Sequence, residues 1–325
     1  MSSNGDKFAL EHLNLFVSSR GILRSCDLFG SSPRSSHITV DQEFDHKIHS
    51  ASSVYLCTDA VFSFAKGLFQ KVNHQIVLVT GDSDLAIDQE LLNKPDVAAM
   101  LASPLIKHWW AQNCGVHHLK LSPMPIGNDY HTIWEHPGVF SYERYSPVAQ
   151  ENLMLRVLAS SPPVEQRFIT AYCNWLPTID RGDRQECFDS IDKSVALIEP
   201  QRTSREVSWS RQVKCMFVLS PEGAGMDCHR TWEALMLGCV PIVRRNALAP
   251  LFANLPVWIV DQWSEVNAHN MEQFALKSLA CTYDFSSLFL RHWQDRIHGR
   301  PNPFQLDPMT RAEFHSLLVG GTVSG

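Results

Sequence analysis

The stretch MFVLSPEGAGMDCHRTWEALMLGCVPIV, Met216 to Val243, decides the fold. MFVL and CVPIV are short, wholly apolar runs. Bounded by turn residues, such runs read as strands buried on both faces, the mark of a parallel sheet. Between them SPEGAGMD is a glycine-rich turn, and CHRTWEALML has helical spacing with Trp232, Leu235 and Met236 on one face. Together they make one βαβ unit. Asp227 is placed to cap the helix, and Gly238 to end it in a left-handed conformation. Gly223 and Gly225 let backbone approach a ligand closely. The helix start offers unpaired N–H groups and the positive end of the helix dipole, which suits phosphate. Arg230 in the first turn can grip phosphate oxygens in a planar fork. Glu233, its neighbour on the helix surface, could accept hydrogen bonds from two adjacent ribose hydroxyls. The plainer alternative is an ordinary α/β turn carrying an Arg230–Glu233 surface ion pair. Cys228 and His229 are adjacent, poor geometry for two ligands of one metal, so no metal is expected there.

The same alternation extends on both sides. Downstream, Pro256 to Val260 reads as a strand, followed by helices over Gln273–Ala280 and Ser286–Ile297. Upstream, Arg167–Cys173 and Ser194–Ile198 read as strands, and Arg181–Lys193 and Val207–Lys214 as helices. SSPP at Ser160 to Pro163 has linker composition and is taken as the domain boundary. Before it, Ser53–Cys57 and Gln75–Thr80 are buried strands, and Asp59–Gln70 is a helix burying Val61, Phe64, Ala65 and Leu68. Gly30–Ser36 is a loop. Ser103–Asn113 is expected to begin as a helix, with Pro104 in its first turn. Leu119–Ile126 is extended, and Gly127–His131 turns out of it. Strands alternating with helices in both halves predict an α/β protein with parallel sheets.

A chain of 325 residues suits two domains, and 44% hydrophobic residues supply cores for both. A net charge of -6 without a basic tract argues against a nucleic-acid partner. The 9 cysteines are scattered and form no CxxC pair, which fits free thiols in a reducing, cytoplasmic setting. The start, MSSNGDKFALEHLNLF, lacks the long apolar run of a signal peptide, and no membrane span is expected.

FVLSPEGAGMDCHRTWEALMLGCVPIV resembles the donor-side motif of exostosin-like glycosyltransferases of the GT-B fold. The similarity is strongest to a group in algae, fungi and large DNA viruses that includes a chlorovirus xylosyltransferase. VYLCTDAVFSFAKGLFQKVNHQIVLVTGDSDL and SPLIKHWWAQNCGVHHLKLSPMPIGNDYHT resemble that group's first domain, and YCNWLPTIDRGDRQECF the start of its second. The resemblance implies two Rossmann-like domains facing a cleft, residues 1–160 for the acceptor and 161–325 for a nucleotide sugar. It implies transfer of a sugar, xylose being one candidate, from a UDP-linked donor to a glycan or glycoprotein hydroxyl, with inversion and without metal or other cofactor.

Carried over, Arg230 and Arg184 hold the diphosphate, Glu233 the ribose, and Gly223, Gly225 and Asp227 shape the loop. Asn174 and Thr178 contact the donor, although Asn174 could equally cap a turn. The catalytic base belongs in GDSD, at the carboxyl end of a buried strand, where α/β sites lie. The resemblance favours Asp84 over Asp82; either acid could instead cap the next helix. His131 is a further possible base. HWW and AQN offer Trp109 or Trp110 for stacking, with Gln112 and Asn113 as amide donors, on the acceptor side. Asn174-Trp175 stands where Asn-Phe is commoner, and Asp82 where Asn is, which leaves the acceptor open. Two rivals remain: a non-catalytic nucleotide- or carbohydrate-binding module of the same fold, and a glycoside hydrolase with paired carboxylates.

Overall fold

The computed structural model describes residues 10–30, 38–40, 42–136, 144–175 and 181–321. Thr178 and all but the first residue of the Gly30–Ser36 loop lie outside them. The strands are β1 (Ser53–Cys57), β2 (Ile76–Gly81), β3 (Ile106–Ala111), β4 (Leu121–Pro123), β5 (Phe168–Cys173), β6 (Ala196–Ile198), β7 (Cys215–Leu219), β8 (Val240–Arg244) and β9 (Trp258–Val260). They form two sheets, of order β1-β2-β3-β4 and β6-β5-β7-β8-β9. Every neighbouring pair is parallel. β1, β2 and β7 are buried at every position, as the unbroken apolar runs require. The two sheets fall on either side of the Ser160–Pro163 stretch.

The helices are α1 (Ser19–Arg24), α2 (Glu43–Lys47), α3 (Val61–Lys66), α4 (Gln89–Leu92), α5 (Pro95–Ala102), α6 (His131–Glu135), α7 (Pro147–Ala159), α8 (Arg184–Ser190), α9 (Arg205–Gln212), α10 (His229–Met236), α11 (Ala268–Ala280), α12 (Leu290–Ile297) and α13 (Arg311–Val319). Among the described residues no helix is long and apolar enough to cross a membrane.

Four local expectations are corrected. Ser103–Asn113 is not helical. α5 ends at Ala102, and Ile106–Ala111 is β3, with Ile106, Trp109 and Ala111 buried. Aromatic and branched side chains fit the pleat, and the Trp109 indole N–H donates to Thr80 Oγ1 on β2 at 2.9 Å. The helix expected over Asp59–Gln70 is interrupted: α3 stops at Gly67, and a 3-10 turn, Leu68–Lys71, follows. The face formed by Val61, Phe64, Ala65 and Leu68 is nonetheless buried. The helix over Ser286–Ile297 divides likewise, into a turn at Ser286–Leu288 and α12. Finally, Cys228 and not Asp227 is the N-cap of α10. Gly238 ends that helix with φ of 71°, in the left-handed region where a side chain would be strained.

The last helices return to the first unit. α12 packs on α1, the Trp293 ring meets Trp110 edge-on at 5.7 Å, and His298 Nε2 lies 2.7 Å from the Ser25 carbonyl. Phe16, Val17, Val77 and Val79 from the first half therefore share one apolar core with Trp232, Phe289 and Trp293 from the second. Removing such surface from water is the main force joining the halves.

Near this seam Glu11 is 1% exposed. The Ser18 hydroxyl donates to its Oε2 at 2.7 Å, but burial dominates and pushes the carboxyl up to about 8 from 4.5. Between those values the folded chain holds a proton that the unfolded chain has released, so this group's contribution to stability falls as pH rises through the window. Glu11→Gln should match the parent near pH 4.5 and exceed it near pH 8 in urea midpoint. Midpoints that run parallel across the range would contradict a neutral buried Glu11.

Candidate functional site

In the five-stranded sheet, β5 has β6 on one side and β7 on the other. The chain leaves these strands in opposite directions, which opens a crevice beyond their carboxyl ends. Asn174 and Trp175 follow β5, and the glycine loop 220–227 follows β7. They line a cleft of about 520 Å³ together with Asp84, Ile126 and Asp129 of the first unit.

Five arginines border the cleft: Arg181, Arg184, Arg202, Arg205 and Arg230. Among the described residues, Arg181, Arg184 and Arg230 form no ion pair with a carboxylate. Arg230 Nε donates to Asn174 Oδ1 at 3.1 Å and its Nη1 to the Pro221 carbonyl at 3.3 Å. These two bonds hold the guanidinium against the loop. Arg184 has a buried Nε without a hydrogen-bond partner. Burial, then the Arg230 charge, lowers its pKa. Two guanidiniums brought together, neither ion-paired to a carboxylate among the described residues, make a site for an anion.

Glu233 faces the same cleft but is not paired with Arg230. Arg205 Nη2 lies 3.3 Å from its Oε1, and the Trp209 indole N–H donates to Oε2 at 3.4 Å. Arg205 also donates through Nη1 to the Asp129 carbonyl at 2.7 Å and to Gln150 Oε1. Gly223 and Gly225 form the loop wall. A Cβ on Gly225 would stand 2.8 Å from Asn113 Nδ2, so the close approach there needs glycine.

Asp227 acts differently from a ligand-facing acid. Its carboxylate accepts from Ile126 N at 2.8 Å, Cys228 N at 2.9 Å and the Trp232 indole at 2.9 Å. Its own N–H donates to Asn113 Oδ1 at 2.9 Å. Burial pushes the acid up to about 6 against the pull of these donors. It staples the loop to the first unit.

The two GDSD acids part company. Asp84 is exposed on the cleft wall. Asp82 is buried, with φ of 52°, and meets Arg20 Nη1 at 2.7 Å and the Tyr55 hydroxyl at 3.0 Å. Gln112 and Asn113 are buried behind them. Gln112 Oε1 accepts from Asp82 N at 3.1 Å, and its Nε2 donates to Ser19 Oγ and the Pro125 carbonyl. Asn113 Nδ2 donates to the Ser83 carbonyl. Trp109 is fully buried and does not face the cleft. Hence three of the residues expected on the acceptor side support the wall instead of lining it.

His131, the fourth, stands beside Asp129 and His229. Its Nδ1 lies 3.5 Å from Asp129 Oδ1. The two rings meet at 5.8 Å between centroids. Burial pushes His131 down to about 4, so it is neutral at pH 7. Burial opposes ionisation of Asp129, but His131, His229 and Arg205 together hold it well below the usual carboxylate range. Asp129, Arg202 and Arg205 carry no sequence signal of their own; Arg181 and His229 lie beside Arg184 and Arg230, and that adjacency is the signal that could find them.

No protein-family model and no curated protein sequence matches this chain.

The Asp82–Arg20 pair is 3% exposed on both sides. Asp82→Asn removes the charge and leaves a buried guanidinium whose other acid, Glu135, lies 3.8 Å away. A loss of about 3–5 kcal/mol in urea unfolding is expected. A change below about 1 kcal/mol would show that the pair does not hold the wall.

Proposed function

We propose that the chain is a glycosyltransferase of GT-B type, moving a sugar from a nucleotide-linked donor to a hydroxyl of a glycan acceptor. The observation that carries this reading is the gathering of Arg184 and Arg230, neither in an ion pair among the described residues, with the glycine loop and the start of α10 at the switch point of the five-stranded sheet. A diphosphate fits this setting. Guanidinium forks and the helix dipole neutralise the charge that builds on the leaving group. Glu233, oriented by Arg205 and Trp209, is then the acceptor of ribose hydroxyl hydrogen bonds. UDP is the first nucleotide to test, and xylose among the first sugars, on the strength of the resemblance above.

The acceptor enters from the side of the first unit. Asp84 takes the proton of its hydroxyl, the oxygen bonds to C1 of the sugar, and the C1–oxygen bond to the diphosphate breaks with its electron pair leaving on phosphate. Attack opposite the leaving group inverts C1. Asp84 is the base in this scheme because it is the GDSD acid on the cleft wall, whereas Asp82 is committed to Arg20.

Thermal-shift measurements over a panel of nucleoside diphosphates and nucleotide sugars should show selective stabilisation by one base. In calorimetry Arg230→Ala should weaken that nucleotide by about 1.5–3 kcal/mol, the value of a charge-assisted hydrogen bond. Unchanged affinity in a folded variant removes Arg230 from the donor site. Asp84→Asn should bind the donor as the parent does and turn over at least about 100-fold more slowly. Near-normal turnover places the base elsewhere.

A further inference from the structure

We propose that Asp129, His131 and His229 form a binding site for one zinc-class divalent cation that bridges the two units. The ligand-capable atoms of the three side chains lie within 4.8 Å of one another. A tetrahedral zinc ion with bonds of about 2.0–2.1 Å holds its ligand atoms roughly 3.4 Å apart, so a contraction of side-chain size closes the set. His131 Nδ1 and Asp129 Oδ1 are already at 3.5 Å.

Each ligand is prepared by a neighbour. His229 Nδ1 lies 2.7 Å from the Gly127 carbonyl. A carbonyl only accepts, so Nδ1 is the donor and Nε2 is the nitrogen left to face a metal. A backbone carbonyl holding one imidazole nitrogen while the other binds metal is the usual arrangement around a histidine ligand. Asp129 Oδ1 is fixed by the Thr132 N–H at 3.0 Å. His131 Nδ1 is buried and makes no hydrogen bond, an orphaned polar atom that a metal bond would satisfy. Two imidazoles and a carboxylate select zinc, cobalt or nickel over magnesium or calcium, which prefer oxygen alone.

The local charge balance suits a cation. Of the guanidiniums nearby, Arg205 is engaged with Glu233 and Arg20 with Asp82. The triad itself contributes one carboxylate and two imidazoles. Asp129 and His131 belong to the first unit and His229 opens α10 of the second. The cation therefore joins the two across the cleft that Asp129 and His229 line, and three protein ligands leave a fourth position for water or a cleft ligand.

The site is independent of the proposed transfer reaction, since its test reads metal directly. Zinc or cobalt(II) is added to the purified full chain, and bound metal is measured after dialysis and by competition with a chromophoric chelator. One equivalent is expected, with a cobalt visible spectrum of nitrogen and oxygen ligation lacking a thiolate band. His131→Ala and His229→Ala should each weaken binding by about 100-fold or more, while Cys228→Ser leaves it unchanged. If His229→Ala fails to fold for loss of the Gly127 contact, His131→Ala decides, because His131 Nδ1 makes no hydrogen bond to lose. No binding by the parent protein overturns the proposal. Binding that persists in His131→Ala, or that vanishes in Cys228→Ser, overturns it as well.

Discussion

The cleft depends on one buried carboxylate. Asp227 takes hydrogen bonds from Ile126 in the first unit, from Cys228 at the start of α10 and from Trp232 inside the core. Removing a carboxylate from water costs several kcal/mol, and it remains buried only where donors replace the lost hydration. Those donors come from two segments, the stretch around Ile126 and the helix α10 with its cap, so the position of each is tied to the other. The glycine loop has no freedom to drift from the first unit without exposing unpaired N–H groups. The absence of a side chain on Gly225 then lets Asn113 come close enough to bind the Asp227 N–H. The loop and the start of α10 face the cleft as a consequence of packing behind them.

Upon this frame the cleft collects positive charge in a chain whose net charge is -6. All five cations lining it are arginines. The choice matters physically. A guanidinium stays charged when half-buried and presents a planar set of donors, where a lysine would shed its proton or seek water. Burial first, and then the nearby Arg230 charge, lowers the pKa of Arg184. An anion with oxygens toward both removes that repulsion at once. Glu233 escapes the same pull because Arg205 and Trp209 already hold it. Arg230 and Glu233 thus sit one helical turn apart without pairing with each other.

What could be read from sequence was local. The apolar runs of β1, β2 and β7, the buried face of α10 and the left-handed Gly238 all follow from short-range pattern, and each appears as expected. Arg184, Arg230, Glu233 and Asn174 line the cleft because they lie on or beside the βαβ units that define it. The Ser103–Asn113 error has a local cause too. Pro104 suits the first turn of a helix, but here it follows one that closes at Ala102. The remaining residues were out of reach in principle. Arg205 touches Asp129 across 76 positions, and His229 meets Gly127 across 102. No periodicity within either segment encodes such meetings, which arise only where the two sheets pack together.

The different fates of Asp82 and Asp84 show how this pressing assigns roles. Asp82 and Asn113 lie just past the ends of adjacent strands, β2 and β3, and both adopt left-handed backbone, with φ of 52° and 50°. Each such residue costs about 1 kcal/mol, least for Asp and Asn. The strain persists because side chains over-determine it. Arg20 and Tyr55 hold the Asp82 carboxylate, Gln112 holds its N–H, and Asn113 binds the carbonyl of Ser83. Turning the chain inward at Asp82 brings it back out at Asp84, onto the cleft wall. Asn113, fixed by the same turn, offers its Oδ1 to Asp227 and so to the start of α10. A continuous line of buried polar contacts therefore runs from Arg20, behind the acid wall, to the helix start on the opposite wall. The contacts that commit Asp82 to Arg20 thus also tie the turn carrying Asp84 to the start of α10.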